Sequence, residues 1–485
     1  MSISGALANA LSGLTAASRA AQIVGSNVSN ATTDGYARRE IELSARANTG
    51  SSAGVQIDGI RRIIDETLVR DRQLADASVG FTESANEFDR AILQLVGTPD
   101  QSGSLSDLVA SFEASLLEAT SRPDSEARLT SVISAAGDLT TGINRVSDGI
   151  QKLREDADSQ ITQEITLLND TLKQIADVNS QILRAAGSSA DLPGLLDQRQ
   201  ALTDRIAQVI PIRTIPQENG TIALYSTNGA LLLDAKAAIF EFQQTAPITA
   251  DMTLVSGALS GLQINGQDIP LNSERSPIAG GSLASLFAQR DIQAVEAQGE
   301  LDALSRNLIE RFEDVSVDPT LSPGDAGIFT DGGGPLDLAD LTGLSSRITL
   351  NSLIDPSAGS EAWRLRDGLG AASPGSAGNA TVLTALSDAM LAPRALTVGA
   401  FSGASKSFSG LMSDFVSQSS QRLNSSDSRM AFEQSRRDAL KDAELAQGVD
   451  TDQEMQKLLL IEQAYSANAR VIQTADRLLQ RLLDI

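Results

Sequence analysis

Residues 3–28 read ISGALANALSGLTAASRAAQIVGSNV, and residues 458–482 read LLLIEQAYSANARVIQTADRLLQRL. In both stretches apolar residues recur at alternating spacings of three and four, which places them along one side of an α-helix. A helix with such a stripe needs a partner that covers it. Because the two stretches lie at opposite ends of the chain, the simplest prediction is that they pair with each other and form a terminal coiled coil.

The predicted self-assembly residues lie on these two helices. They are Leu7, Leu11, Leu14, Ala17, Ala21 and Val24 on the first helix, and Leu458, Ile461, Tyr465, Asn468, Ile472, Ala475, Leu479 and Leu482 on the second. Alanines on the N-terminal stripe bury too little area to hold an isolated pair of helices. An ordinary bundle core would have the same spacing and stays open as an alternative, but small residues favour close packing among many neighbours.

The middle of the chain is predicted to be mainly α-helical, with one β-rich insertion. A three-four apolar repeat runs from Leu129 to Ile182, and its length predicts a rod-like helix. Residues 221–277 instead carry β-branched runs separated by Asn-Gly pairs, which are strong hairpin signals. The predicted domains are a terminal coiled-coil assembly domain (1–35 with 450–485), a long-helix rod-like domain built from both halves of the chain (36–211 with 281–449) and a β-rich outer domain (212–280).

The remaining elements follow from local apolar patterns and from Gly and Pro positions. Further helices are predicted over residues 61–96, 104–121, 195–209, 282–312 and 405–446, and short extended segments over 37–43 and 54–60. Residues 314–380 are rich in Gly, Pro, Asp and Ser and contain a strand-like run at residues 346–350. Otherwise only irregular surface structure is predicted there.

Composition excludes several classes of function. The chain has 485 residues, a formal net charge of -24, and neither Cys nor His. Nucleic acids and anionic membranes bind clustered Lys and Arg, so this charge argues against both partners. Without Cys there are no disulfides or thiolate sites, and without His the commonest general base is missing. No cleaved signal peptide and no membrane-spanning segment are expected, because no apolar run of the required kind occurs.

No motif in the sequence predicts catalysis, a metal ion or a cofactor. The acidic and glycine-rich residues 331–340 lack the alternating ligand spacing of an EF-hand calcium loop. The phosphate-binding glycine motif with its Lys and the Gly-x-Ser-x-Gly nucleophile turn do not occur. We therefore predict that the protein is not an enzyme and has no cofactor. A soluble acidic hydrolase that uses only carboxylates remains the alternative from another class.

Two motifs resemble the signatures of the bacterial flagellar axial protein family. ALSGL at residues 10–14 and SNVSNATTDGYAR at residues 26–38 resemble the N-terminal signature, and QAYSANARVIQTAD at residues 463–476 resembles the C-terminal one. The Gly-Tyr-x-Arg ending is more similar to the hook-associated proteins than to hook or rod proteins. The residues that carry the N-terminal resemblance, here called the signature turn, are Asn27, Asn30, Gly35, Tyr36 and Arg38.

The resemblance implies a structural subunit at the junction between hook and filament. It also implies a ring of about eleven copies of the chain, contacts with the hook protein and with the second hook-associated junction protein, and an extracellular location reached through flagellar type III export. An export chaperone is expected to bind the C-terminal helix. The residues implied for that contact are Leu458, Ile461, Tyr465, Ile472 and Leu479. The alternatives are another axial subunit, of the hook or filament type, and a coiled-coil scaffold in the cytoplasm.

Overall fold

The computed structural model describes residues 3–33, 35–45, 54–185, 192–271, 273–355, 358–359, 361–395, 403 and 405–483. The helices are α1 (Ile3–Ser29), α2 (Glu66–Val96), α3 (Leu105–Ser121), α4 (Glu126–Ala185), α5 (Leu192–Val209), α6 (Ser282–Ala288), α7 (Ala294–Phe312), α8 (Leu344–Arg347), α9 (Trp363–Asp367), α10 (Thr381–Leu391), α11 (Phe408–Ala446) and α12 (Thr451–Leu483). A π-helical turn, Gln289–Gln293, joins α6 to α7. None of these described helices is both long and apolar enough to cross a membrane.

The strands form small antiparallel sheets. They are β1 (Arg38–Ala45), β2 (Val55–Ile63), β3 (Ile212–Pro216), β4 (Ile222–Ser226), β5 (Leu231–Leu233), β6 (Phe240–Glu241), β7 (Gln263–Ile264), β8 (Gln267–Asp268), β9 (Phe329–Asp331), β10 (Ile348–Leu350), β11 (Arg394–Ala395) and β12 (Ser405–Lys406). The sheets are β1-β2, β3-β4-β5, β6-β7-β8, β9-β10 and β11-β12. The predicted fold class, mainly α with a β-rich insertion and paired terminal helices, is confirmed.

Local signals account for both ends of α2. The Asp65 carboxylate caps α2 by accepting hydrogen bonds from the backbone N–H groups of Thr67 and Leu68, and α2 ends at Gly97, whose φ is 76°. The predicted start of this helix at residue 61 was wrong, because β2 pairs with β1 as far as Ile63. Cross-strand hydrogen bonds therefore override the helical pattern of these residues.

The predicted long helix is α4, which has 60 residues. Its first half packs into a core whose buried residues lie between Phe88 and Val416, and its second half packs into another core whose buried residues lie between Ala157 and Phe287. The apolar repeat slips by one residue just after Ala157, where α4 passes from the first core to the second. The slip therefore reflects a change in the side of the helix that is covered.

The β-rich residues pack on the second half of α4. Strands β4, β5, β6 and β7 share one apolar core with α5 and α6. The Asn265-Gly266 pair between β7 and β8 has φ values of 55° and 74°, as a two-residue hairpin turn requires. The predicted hairpins thus form, whereas the division of the chain into three domains remains a prediction.

Residues 313–380 contain mostly turns, with the short elements β9, α8, β10 and α9. They are nevertheless anchored, because Phe329 of β9 packs edge-to-face on Phe112 and Phe312 in the first core. Helix α10, which buries one side, follows directly and has no counterpart among the predicted elements.

Glu164 of α4 gives the chain a pH-dependent stability. Burial raises the pKa of its carboxyl from 4.5 to about 7, against the opposing effect of the hydrogen bond that Ser282 Oγ donates at 2.6 Å. The folded chain therefore binds this proton more tightly than the unfolded chain. This contribution is complete below the unfolded pKa and is lost as the pH rises through about 7.

We expect Glu164→Gln to stabilise the protein at about pH 8.5, by up to about 3 kcal/mol, and to have little effect at about pH 4, below the unfolded pKa. Denaturant unfolding at both pH values measures the difference. The exposed Glu118 of α3 provides the control, since Glu118→Gln removes the same charge without relieving burial. If both substitutions stabilise the protein equally, the effect comes from the change in net charge and not from the burial of Glu164.

Candidate assembly site

The N-terminal helix contacts the C-terminal helix along one side. Helices α1 and α12 pack against each other, and the predicted positions Ala17 and Val24 are buried in the structure. Leu7, Leu14 and Ala21 are half-buried, whereas Leu11 is 60% exposed. The structure therefore brings five of the six predicted positions to the covered side of α1 and leaves Leu11 on the surface.

The C-terminal helix is covered less completely. Ala475 is buried, and Leu458, Ile461, Asn468 and Ile472 are half-buried. Tyr465 and Leu479 are exposed by 48% and 40%. The side chain of Leu482 lies outside the described residues. One helix partner thus covers only part of the predicted C-terminal stripe.

The two family motifs meet at Gly13 and Asn468. A Cβ added to Gly13 would lie 2.7 Å from Asn468 Nδ2, which is closer than real Cβ contacts allow. Gly13 therefore lets α12 approach α1 at the level of Asn468, whose amide donates to the Ala464 carbonyl within α12 at 3.0 Å. The motifs ALSGL and YSANA thus supply opposite sides of the same close contact.

Further apolar residues point away from this contact and were missed by the prediction. They are Met455, Leu459, Leu460, Val471 and Leu478, and Leu460 is 65% exposed. A stripe read at spacings of three and four selects only one side of a helix, so these positions fall outside it. The signal that could have identified them is the run of three leucines at residues 458–460, which covers more than one side.

Asn27 of the signature turn organises a buried polar network at the end of α1. Its Nδ2 donates to Glu454 Oε2 and to the Arg39 carbonyl, both at 2.9 Å. Its Oδ1 accepts from Tyr36 Oη at 2.8 Å and from the Arg39 backbone N–H at 3.0 Å. Burial raises the pKa of Tyr36 above its ordinary value, so its hydroxyl stays a donor. Asn27 therefore joins α1, β1 and α12.

Glu454 was not predicted and is the charged partner of this network. Its side chain is almost fully buried in the first turn of α12, and its carboxylate lies 2.8 Å from Lys457 Nζ and 4.0 Å from the Arg38 guanidinium. Glu454 thus attaches the start of α12 to the signature turn. Nothing in its local sequence indicates burial, because its partners come from the other end of the chain.

The other signature residues shape the turn. The Asn30 side-chain amide donates to the Ser26 carbonyl at 2.9 Å and closes the last turn of α1. Gly35 has a φ of 77°, which favours glycine, and a Cβ there would meet the Cβ of Ala201 at 3.6 Å. The turn therefore rests directly on α5.

We expect Asn27→Ala to destabilise the attachment of α12 by about 2–4 kcal/mol, since it leaves the Glu454 carboxylate and the Tyr36 hydroxyl buried without this partner. Hydrogen exchange of the first turns of α12 measures the loss. Asn424→Ala, at an exposed position of α11, is the matched control and should leave exchange in α12 unchanged. Equal protection in both variants would contradict the central role of Asn27.

Charged side chains hold the hairpin β1-β2 on α5. Asp197 accepts from Arg39 Nη2 at 2.7 Å and from Arg62 Nε at 2.8 Å. These side chains are nearly buried, and burial lowers the pKa of Arg62. Both arginines pair with the Asp197 carboxylate. Removing this carboxylate would therefore leave two desolvated cations.

A second charged cluster lies beside the end of α11. Arg72 of α2 contacts Asp204 of α5 at 2.8 Å, Asp76 at 2.7 Å and Glu444 of α11 at 2.5 Å. Burial alone would lower the pKa of Arg72, but these three carboxylates raise it above its ordinary value.

Within the described residues, no group of acidic side chains is arranged to hold a metal ion.

Two family models of flagellar proteins match the chain. One, described as the "Flagellar hook-associated protein FlgK helical domain", matches residues 92–327. The other, described as "Flagellar basal body rod FlgEFG protein C-terminal", matches residues 446–485 and thus all of α12. Together these segments make up more than half of the chain.

Relatives named flagellar hook-associated protein 1 match as well. The protein of Salmonella typhimurium is 28% identical over 322 residues, which are 63% of this chain and 55% of the relative. This match thus spans little more than half of the Salmonella protein. The protein of Bacillus subtilis is 23% identical over 507 residues, which cover 97% of this chain and 96% of the relative.

Among solved structures, the flagellar hook junction protein FlgK from Burkholderia pseudomallei is similar over 54% of this chain and 47% of that one, with a TM-score of 0.44 and 19% identity. A structural similarity at this level supports no conclusion about the family of the chain. The family models and the relatives carry that conclusion instead. Both motif regions quoted from the sequence lie in the pair α1 and α12 or at its attachment. In its helical body and in α12, the chain is thus similar to proteins of the flagellar hook-associated protein 1 family.

Proposed function

We propose that this protein is a structural subunit of the bacterial flagellum that forms the junction between hook and filament. It assembles through α1 and α12 and acts without catalysis or a cofactor. The observation that carries the proposal is the incomplete cover of α12, which contacts α1 on one side and keeps Leu459 and Leu460 exposed. Exposed apolar side chains in a row favour a protein partner.

The first partners are further copies of the chain. A helix pair with one uncovered side can pack against the next pair by a head-to-tail contact, and such contacts close into a ring when the rotation between copies allows it. Similarity to this family supports the hook protein and the second hook-associated junction protein as the partners on either side of the ring.

The proposed export chaperone would bind α12 before assembly. Leu458, Ile461 and Ile472 lie on the half-buried side of α12, while Tyr465 and Leu479 are exposed. A groove that takes all five residues must replace α1 as the partner of α12. Chaperone binding and the α1-α12 pair therefore exclude each other, which suits export of an incompletely folded chain to an extracellular site. The absence of Cys is consistent with this route.

Deletion of the gene tests the proposed role. We expect such cells to keep hooks and to release filament subunits into the medium, and expression of the full chain should restore attached filaments. The protein should form a minor band in sheared flagella, whereas a filament subunit would form the major band. Attached filaments in the deletion strain would contradict the proposal.

A further inference from the structure

Helix α5 carries the ion pairs that attach the terminal helices to the rest of the protein. Asp197 contacts Arg39 and Arg62 of the hairpin β1-β2. Asp204 lies two helical turns further along α5 and contacts Arg72 of α2. Residues seven apart face the same side of an α-helix, so both carboxylates are on one face of α5.

The same face contacts one of the two chain connections between the terminal helices and the body directly, and it is linked to the other through Arg72 of α2. The first connection is the hairpin β1-β2, which joins α1 to α2 and is held at Asp197. The second is the end of α11, which leads into α12. Its Glu444 contacts Arg72, and Arg72 in turn contacts Asp204.

Ion pairs in this setting restrict orientation more than apolar packing does. The side chain of Asp197 is only 15% exposed, and it also accepts from the Ala37 backbone N–H at 3.3 Å. Charge-assisted hydrogen bonds have defined distances and angles, whereas apolar contacts are non-directional. Two donors from the hairpin and the backbone N–H of Ala37 just before it share one carboxylate, and they therefore define how the hairpin lies on α5.

We propose that Asp197 is a positioning residue whose ion pairs with Arg39 and Arg62 set the angle between the terminal helix pair and the helical body. The reason why a fixed angle matters rests on the proposed function. Copies in a ring present matching surfaces only when their terminal pairs have the same orientation relative to the body. The angle itself is a property of the single chain and can be measured without assembly.

Distance measurements between two spin labels test this proposal. The chain has no Cys, so Ser131→Cys on α4 and Ser466→Cys on α12, both at exposed positions, give one labelled pair in the full-length chain. Double electron–electron resonance on the monomer then reports the distribution of distances between helical body and terminal pair. Circular dichroism and thermal unfolding on the same samples show whether the body remains folded.

We expect a narrow distribution for the parent chain and one at least twice as wide for Asp197→Asn, with the thermal transition of the body retained. Asp197→Glu keeps the carboxylate and should restore most of the narrow distribution, which a purely local packing defect would not allow. Asp170→Asn removes the charge of an exposed aspartate on α4 and should have no effect. If Asp197→Asn does not fold, Arg39→Gln provides the same readout, since it leaves Asp197 paired with Arg62.

An unchanged distribution in Asp197→Asn, or in Arg39→Gln where that variant is used, would overturn the proposal. An equally wide distribution in Asp170→Asn would do the same. Neither outcome depends on the flagellum. Conversely, if filaments stayed attached after deletion of the gene, the proposed function would be wrong. The distance measurement would still test whether Asp197 sets the angle.

Discussion

Deleting residues 458–485 is expected to leave the helical body folded and to abolish incorporation into the flagellum. The buried residues of the first core lie between Phe88 and Val416, and those of the second lie between Ala157 and Phe287. Neither core therefore includes α1 or α12. The truncated chain should keep a cooperative thermal transition, measured by circular dichroism or calorimetry. Immunoblots of sheared flagella measure incorporation.

Deleting residues 1–30 should give the same pair of results, because each terminal helix leaves the other without its partner. The full-length chain expressed from the same vector is the control for expression level. A truncated protein without any thermal transition would contradict the separation of assembly from stability. Incorporation at the level of the full-length chain would contradict the assembly role of the terminal helices.

Leu460→Asp is expected to prevent incorporation without changing the stability of the isolated chain. The side chain is 65% exposed on α12, so a carboxylate there is solvated in the monomer. In a contact with a neighbouring copy the same charge would be buried without a partner, at a cost of several kcal/mol. Thermal unfolding of the monomer and immunoblots of sheared flagella measure the two effects separately.

Two further substitutions make this expectation specific. Leu117 of α3 is 66% exposed, and Leu117→Asp should change neither stability nor incorporation. Leu14→Asp or Ile472→Asp places the charge on the half-buried side of the pair and should weaken both the pair and incorporation. If Leu460→Asp is incorporated normally and Leu117→Asp is not incorporated, the assembly surface lies on the helical body and not on α12.

Periodicity was sufficient to predict most helices of this protein. The spacing of apolar residues depends only on neighbours within one or two turns, and it correctly marked α1, α4 and α12. Asn-Gly pairs likewise predicted the hairpins, because φ values near 60° are accessible to these two residues. The start of α2 could not be predicted in this way, since pairing with β1 extends β2 to Ile63.

The attachment of the terminal helices could not be predicted from sequence. Asn27 meets Glu454, and Asp197 meets Arg39 and Arg62, across separations of 427, 158 and 135 residues. A carboxylate among many others carries no local signal of burial, because its burial depends on which distant segments fold against it. The family resemblance identified Asn27 and Gly35 but not the acidic residues that they approach.

The order of residues alone determined that this chain has a helix at each end, a long central helix and a β-rich insertion, because helices and tight turns depend on contacts between near neighbours. Tertiary structure alone decided which side of α12 is covered, which carboxylates are buried and how the terminal pair is held on α5. These features arise from contacts between residues that are far apart in the chain, and such contacts exist only once the whole chain has folded.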